Sequence, residues 1–128
     1  MTYIDASVVL AQLFVEDRRP PVSLWDESLT ASRLLTYEVW NRVHSRRLDR
    51  AHEEMVRAIL DAVTFVELTP IVLARAQEPF PRSVRTLDGL HLATIEFLRG
   101  QGQAVELASY DVRLVDGARA LGIPIRAL

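Results

Sequence analysis

The chain is 128 residues long, which is enough for one domain with a hydrophobic core that needs no covalent crosslinks. Hydrophobic residues make up 49% of it and cysteine is absent, so disorder is disfavoured and disulfides or cysteine-ligated zinc are excluded. The net charge of −2 carries no overall signature of nucleic-acid binding. No apolar run is long enough to span a bilayer, and the start lacks the basic residues of a signal peptide. We therefore predict a single domain over residues 1–128, in the cytoplasm and without membrane contact.

Strand-like and helical segments alternate along the chain. In the first half we predict a strand at 2–5, a helix at 7–15 capped by Ser7, a loop at 16–21, a strand at 29–32, and helices at 34–48 and 51–63, the last with Met55, Ile59 and Leu60 facing inward. In the second half we predict a strand at 65–68, a helix from Pro70, a loop at 78–85, a helix at 86–99 capped by Thr86, a strand at 105–109, a helix at 111–121 and a strand at 123–125. This alternation indicates an α/β fold, and we expect a three-layer α/β/α sandwich around a parallel sheet of four to five strands.

Four acidic residues stand in segments that otherwise have the composition of a core: Asp5, Glu38, Asp88 and Asp111. Such side chains are rarely buried unless they are paired or bound to a cation. Asp5 and Asp111 fall at the carboxyl ends of the first and fourth predicted strands, while Asp88 lies in the first turn of a predicted helix. Ligands of open parallel sheets bind beyond the carboxyl ends of the strands, so the architecture allows these acids to meet.

A cluster of acids predicts a divalent cation for an electrostatic reason. Two carboxylates about 4 Å apart repel by roughly 4 kcal/mol at an effective dielectric constant of about 20. That repulsion raises at least one pKa or requires a counter-ion. Magnesium favours oxygen ligands and keeps several of its waters. With one or two such ions, the site would activate water and hold a phosphodiester.

Each acid also has a structural interpretation when it is taken alone. Asp5 and Asp111 are suited to capping a helix or a turn. Asp88 would be favoured by the positive end of its helix dipole. Glu38 is placed to pair with Arg42 one helical turn further on. Only the joint occurrence of the four acids favours a shared site.

Several segments, in this order, carry a resemblance to a known family: YIDAS at 3–7, YEV at 37–39, RTLDGLHLA at 85–93, ASYD at 108–111 and LGIPI at 121–125. With these segments the chain resembles PIN-domain ribonucleases, and specifically toxins of the VapC type from bacterial toxin–antitoxin pairs. The segment at 85–93 is the most specific of them, and the likeness runs through most of the chain.

The resemblance implies an endoribonuclease that hydrolyses RNA phosphodiester bonds with Mg²⁺ or Mn²⁺, as one or two ions. It also implies neutralisation by a cognate antitoxin of the VapB type, and a homodimer. It assigns catalytic and metal-binding roles to Asp5, Glu38, Asp88 and Asp111. The hydroxyls of Ser7 and Ser109 would then orient the metal-binding acids by hydrogen bonds without contacting the metal themselves.

The chain departs from the family at position 113, where some members carry a further acid and this sequence has Arg113. The substitution predicts weaker binding of a second ion. Asp116 is no clean substitute, because five residues after Asp111 it lies well round the helix.

Basic residues near these motifs have two interpretations. All 15 are arginine, which codon bias explains without any function, yet any phosphate contact must then come from a guanidinium group. The arginine-rich stretch at 42–50 is either a solvated helix face or a track for the RNA backbone. Arg42, Arg46 and Arg85 are the candidate RNA contacts. We interpret His91 as a packed or hydrogen-bonded helix residue rather than a catalytic one.

The main alternative is a non-enzymatic binding module of the same fold, in which the acids are structural. A phosphotransferase like the haloacid dehalogenases would need a second aspartate at position 7, where the chain has Ser7. A receiver domain would need a late lysine, and the chain has no lysine. Both of these other classes are therefore disfavoured.

Overall fold

A computed structural model describes residues 1–14, 18–47 and 50–128. Within these residues four strands form a sheet: β1 (Thr2–Ile4), β2 (Leu29–Ser32), β3 (Val63–Val66) and β4 (Glu106–Ala108). The α-helices of the same part of the chain are α1 (Ala6–Leu13), α2 (Leu34–Ser45), α3 (Arg50–Asp61), α4 (Pro70–Ala76), α5 (Thr86–Gly100) and α6 (Val112–Ala120), and a 3₁₀ helix spans Val22–Asp26. No helix in the described ranges is long and apolar enough to cross a membrane.

The strands run parallel in the order β3-β2-β1-β4. From β1 the chain adds β2 and β3 on one side, and it later returns to place β4 on the other side. The strand order therefore reverses between β1 and β4. This sheet, covered by helices, confirms the predicted α/β/α fold class.

The polypeptide alternates its side chains between the two faces of the sheet. Ile4 and Ala31 pack in a core with α1, α2 and α3, whereas Tyr3 and Leu107 pack in a second core with α5 and α6. Because helices cover both faces, β1 and β2 are buried along their whole length, as is usual in a parallel sheet.

Two predicted helix caps were wrong. Helix α1 begins at Ala6, so Asp5 occupies the cap position and Ser7 lies inside the first turn. Helix α5 begins at Thr86 itself, and Arg85 precedes it without a side-chain capping bond. The extended backbone therefore ends two residues earlier than predicted before α1 and one residue earlier before α5.

Some predicted boundaries were also wrong. Strand β3 lies two residues earlier than predicted, because its register is set by pairing with β2, where Val63 lies opposite Leu29. The predicted fifth strand is a single bridge between Leu107 and Ile125, since Pro124 has no N–H with which to extend a ladder. Met55 was expected to face inward but is 43% exposed.

The short 3₁₀ helix at Val22–Asp26 was not predicted. The predicted helix ends at residues 15 and 48, and the beginning of the predicted loop at 16, lie outside the described residues. Strand β2 and the start of α4 at Pro70 are where the sequence placed them.

Candidate active site

The acids at positions 5 and 111 lie at the carboxyl ends of β1 and β4, which are neighbours in the sheet. Asp5 directly follows β1, and Asp111 follows β4 after two residues. This is the point at which the strand order reverses, and in open α/β sheets such a point forms a crevice for ligands.

Asp5 is a buried carboxylate, only 5% exposed, between β1 and α1. Its Oδ1 accepts a hydrogen bond of 2.6 Å from the Ser7 hydroxyl. The pKa of Asp5 is raised to about 6, mainly by burial and to a smaller extent by the charge of Asp111, while the bond from Ser7 and the charge of His91 oppose the increase. Burial thus outweighs the groups that favour the charged form of this carboxyl.

The hydroxyls of Ser7 and Ser109 join the two strand ends. Their Oγ atoms lie 3.3 Å apart. Ser7 accepts a bond of 2.9 Å from the backbone N–H of Tyr110, and Ser109 accepts one of 2.9 Å from the N–H of Asp111. The two serines thus hold the start of α1 against the turn that leads into α6, and so fix Asp5 relative to Asp111.

Asp111 caps α6. Its Oδ1 accepts from the backbone N–H groups of Arg113 at 3.0 Å and Leu114 at 3.3 Å. One interpretation drawn from the residue alone was a helix cap, and the structure shows that bond. The capping bonds use Oδ1 and leave Oδ2 without a partner in the described part of the chain.

Asp88 lies in the first turn of α5 and is 7% exposed. Burial, and then the charge of Asp111, raise its pKa. Its Oδ2 is buried and has no hydrogen-bond partner among the described residues. Buried polar atoms are normally satisfied, so an unpartnered carboxylate oxygen here indicates a group that the protein alone does not supply.

Glu38 is held by His91 rather than by Arg42. Its Oε1 lies 2.8 Å from Nε2 of His91, and Nδ1 of His91 lies 2.7 Å from the Tyr3 hydroxyl. The Tyr3 oxygen in turn accepts a bond of 3.1 Å from the backbone N–H of Ser32. His91 is therefore a buried, hydrogen-bonded helix residue, and the chain of bonds runs from the sheet through its ring to Glu38.

The ring of His91 lies within electrostatic reach of three of the four acids. Burial alone would lower its pKa, but the bond to Glu38 and the charges of Glu38, Asp5 and Asp88 outweigh that effect, so the pKa is raised. Their negative charge favours the protonated form of the imidazole.

The donor set fits a magnesium-like ion, but only as a partial shell. Within the described residues, no group of three or more acidic or histidine side chains is arranged to hold a metal ion as it stands. Magnesium does not require such a cage, because it binds through one or two carboxylates and keeps several waters. Asp5, Asp88 and Asp111 offer oxygen donors, and the Asp88 oxygen without a partner is the atom that a cation would satisfy.

Asp88 also belongs to the wall of a cleft of about 310 Å³ between the segment before α5 and the helix α6. The other charged residues of its lining are Arg82, Arg85, Arg113 and Asp116. Asp116, which we predicted to be no clean substitute for an acid at position 113, shares this cleft with Asp88. Sequence analysis had singled out only Arg85 as a contact here.

The other two candidate RNA contacts lie on α2. Arg42 is exposed one turn after Glu38, and the Arg46 guanidinium lies over the Phe14 ring at 4.2 Å from its centroid. Neither lines the cleft beside Asp88. A larger hollow of about 500 Å³ beside α4 and α5 contains none of the four acids, so its size does not mark the chemistry.

Comparison with known proteins agrees with this geometry. A sequence model of the PIN domain matches residues 2–119. The chain belongs to the PIN-domain family. It is 29% identical over 129 residues to ribonuclease VapC47 of Mycobacterium tuberculosis (strain CDC 1551 / Oshkosh), a match that covers 95% of this chain and 93% of the relative.

Solved structures of PIN-domain proteins resemble this PIN domain in fold. A toxin–antitoxin complex from Klebsiella pneumoniae superposes with a TM-score of 0.69 at 16% identity, covering 94% of each chain. Mycobacterium tuberculosis VapC20, described as a sarcin-ricin loop cleaving toxin, gives 0.67 at 17% identity over 91% of this chain and 94% of that one. The resemblance drawn from the sequence segments, to PIN-domain proteins of the VapC type, is confirmed.

Proposed function

We propose that this PIN domain is an endoribonuclease that hydrolyses phosphodiester bonds with the help of Mg²⁺ or Mn²⁺. The observation that carries the proposal is that Asp88 has a buried oxygen with no partner among the described residues and lies within electrostatic reach of Asp111, which follows β4. The names of the relatives support RNA as the substrate, because VapC47 is called a ribonuclease and VapC20 a toxin that cleaves the sarcin-ricin loop.

The residues divide the work in the following way. Asp5, Asp88 and Asp111 would hold one or two cations, which supply positive charge to the phosphate and lower the pKa of a nearby water. Glu38 accepts a hydrogen bond at Oε1 from His91, so its other oxygen is free to orient a water and take its proton. The water oxygen then forms a bond to phosphorus while the bond from phosphorus to a ribose oxygen breaks, and that ribose oxygen takes up a proton from solvent.

Ser7 and Ser109 take no part in the bond changes. They keep Asp5 and Asp111 in place through bonds of 2.6 and 2.9 Å. Groups of this kind behind a metal site typically change affinity or activity by about 10- to 100-fold when they are removed.

The alternative, a binding module with structural acids, accounts for part of the site. Asp111 caps a helix and Glu38 is bonded to His91, so both have a structural role. Asp88 separates the two hypotheses, because its Oδ2 has no structural partner in the described chain. A purely structural acid at this position would leave the fold with an uncompensated desolvation cost.

The test is cleavage of a mixture of structured RNAs by purified protein in Mg²⁺, in Mn²⁺ and in EDTA. We expect cleavage by the wild type with either metal, none in EDTA, and a loss of about 100-fold or more in Asp5→Asn and Asp88→Asn. Asp61→Asn is the matched control, since Asp61 is an exposed carboxylate at the end of α3. Cleavage that continues equally in chelator and in both site variants would overturn the proposal.

We further propose that the protein is a toxin neutralised by a cognate antitoxin of the VapB type, and that it acts in the cytoplasm. The toxin–antitoxin complex among the structural neighbours supports the partner. Co-expression with the product of a small adjacent gene would restore growth if this is right, and growth inhibition that no neighbouring gene relieves would contradict it.

We also propose a homodimer. Ile71 and Leu73 on α4 and Leu87 on α5 are exposed apolar side chains, which a second copy would cover. Light scattering on the isolated protein is the measurement, and Ile71→Asp should shift a dimer towards monomer. A monomer at all concentrations would exclude it.

A further inference from the structure

The cleft that contains Asp88 has a second chemical character, which comes from its arginines. Arg82 and Arg85 come from the segment that leads into α5, and Arg113 comes from the first turn of α6. All three are exposed, and all three line the same concave volume of about 310 Å³. The fold therefore brings guanidinium groups from two separate parts of the chain to one place.

Among the described residues, none of these three guanidinium groups forms a side-chain hydrogen bond or an ion pair, although the charge of Arg85 acts on Asp88. The chain does pair arginines elsewhere: Arg33 lies 2.7 Å from Glu67, and Arg126 lies 2.6 Å from Glu27. The cleft arginines are thus available to an anion.

The balance of charge in the cleft favours an anion as well. Three arginines face two acids, Asp88 and Asp116. Asp88 is buried in the wall of the cleft, whereas the three arginines are exposed, so the arginines present their charge to a ligand that enters it. A concave site with guanidinium forks on opposite walls suits a phosphate group, which each fork can bind through two N–H donors.

We propose that Arg82, Arg85 and Arg113 form a subsite for a backbone phosphate of single-stranded RNA, next to the phosphate that is cleaved at Asp88. The inference rests on the proposed function and deepens it, because it assigns the path of the RNA backbone on one side of the cleaved phosphate. The strand runs from the carboxylates into the cleft between the segment at 82–85 and α6. Its phosphate there is held by charge and not by base identity, so the subsite positions the RNA without selecting its sequence.

Asp116 allows a test of the charge that the cleft prefers in its ligand. It lies in the same lining and opposes a phosphate, so its removal should strengthen RNA binding while removal of Arg113 should weaken it. A change that merely disturbed α6 would weaken binding in both variants. Arg119 provides the matched control, because it is an exposed arginine near the end of the same helix and does not line the cleft.

The experiment measures binding of a fluorescent single-stranded RNA of about 12 nucleotides to Asp5→Asn protein, which serves as a background that does not cleave. Dissociation constants are taken between about 50 and 200 mM KCl, with and without Arg82→Gln, Arg113→Gln, Asp116→Asn or Arg119→Gln. We expect each cleft arginine variant to reduce the slope of log Kd against log [KCl] by about 0.7 and to weaken RNA binding by about 5-fold. We expect Asp116→Asn to bind more tightly and Arg119→Gln to match the background.

Three results would overturn the subsite. The first is the same salt dependence of RNA binding in Arg113→Gln and Arg119→Gln, and the second is weaker RNA binding in Asp116→Asn. The third is a cleft arginine variant that keeps the salt dependence of RNA binding but binds poly-glutamate more weakly, which would mean that the cleft binds an acidic protein segment. Wild-type cleavage is measured in parallel. If the slopes change as expected while the wild type does not cleave RNA, the proposed function fails and the phosphate subsite stands.

Discussion

The Nε2 atom of His91 lies 2.8 Å from Oε1 of Glu38, although the two residues are 53 positions apart in the chain. An ionised carboxylate can only accept a hydrogen bond, so Nε2 of His91 carries a proton and donates it to Glu38. In the neutral ring Nδ1 then accepts from the Tyr3 hydroxyl, whose oxygen accepts a bond from the backbone N–H of Ser32. His91 is a positioning residue that fixes one carboxylate oxygen and leaves the other for water.

This relationship predicts different outcomes for two substitutions of His91. His91→Gln keeps an amide nitrogen near the position of Nε2, so it should keep cleavage within about 10-fold of the wild type. His91→Asn is too short to reach Glu38 and should lose about 10- to 100-fold in kcat with little change in KM. Steady-state cleavage and urea unfolding of both variants are the measurements. If the two lose activity in equal proportion to their stability, the role of His91 is packing alone.

The raised pKa of Asp5 predicts a dependence of stability on pH in protein without metal. The folded pKa of about 6 is above the ordinary value of 3.8, so the folded state holds this proton more tightly than the unfolded state. The stability that comes from this proton is present below about pH 4 and is lost as the pH rises to about 6, a change of roughly 3 kcal/mol.

Asp5→Asn should remove this dependence and should be more stable than the wild type at about pH 8 in EDTA. The asparagine side chain still offers an oxygen to the Ser7 hydroxyl, so the neighbouring bond of 2.6 Å can persist. Urea unfolding of both proteins at several pH values is the measurement. Stability curves that run parallel across this pH range would show that Asp5 is not desolvated as the structure implies.

Asp88 predicts stabilisation by a divalent cation. A ligand that binds only the folded state raises both the free energy of unfolding and the melting temperature. At a concentration 100 times its Kd, it adds about 2.7 kcal/mol to the free energy of unfolding. Mg²⁺ or Mn²⁺ should therefore raise the Tm of the wild type and of Asp61→Asn, but have little effect on Asp88→Asn. Thermal unfolding with increasing metal checks this independently of any RNA. An equal increase in all three proteins would place the ion elsewhere.

The close packing around Gly117 predicts that a larger residue at this position destabilises the protein. A Cβ at this position would lie 2.9 Å from Leu92 Cδ1 and 3.2 Å from Val84 Cγ1, and Leu92 is fully buried. Gly117→Ala should therefore destabilise the protein by about 1–3 kcal/mol despite the better helix propensity of alanine. Gly100→Ala is the control, since no atom lies within 4 Å of its Cβ, and it should be neutral or stabilising by up to about 1 kcal/mol. Urea unfolding would contradict this if both substitutions had the same effect.

Much of the fold could be predicted because local patterns of apolar and polar residues specify its strands and helices. The alternation of apolar strands with helical segments indicated a parallel sheet, and the observed strand at 29–32 and the helix start at Pro70 agree with it. The placement of Asp5 and Asp111 after β1 and β4 also depends only on where each strand ends. Wrong details came from positions that the partner strand decides, as when pairing with β2 moved β3 to Val63–Val66.

The candidate site was predictable as a set of residues and not as a set of contacts. Residue order alone was enough to identify the acids in core-like segments and the family that the chain resembles. The folded arrangement was needed to show that Glu38 pairs with His91 and that Arg82, Arg113 and Asp116 share a cleft with Asp88. Side chains so far apart in the chain meet only after the strands have paired and the helices have packed on them, so no local pattern specifies their contacts.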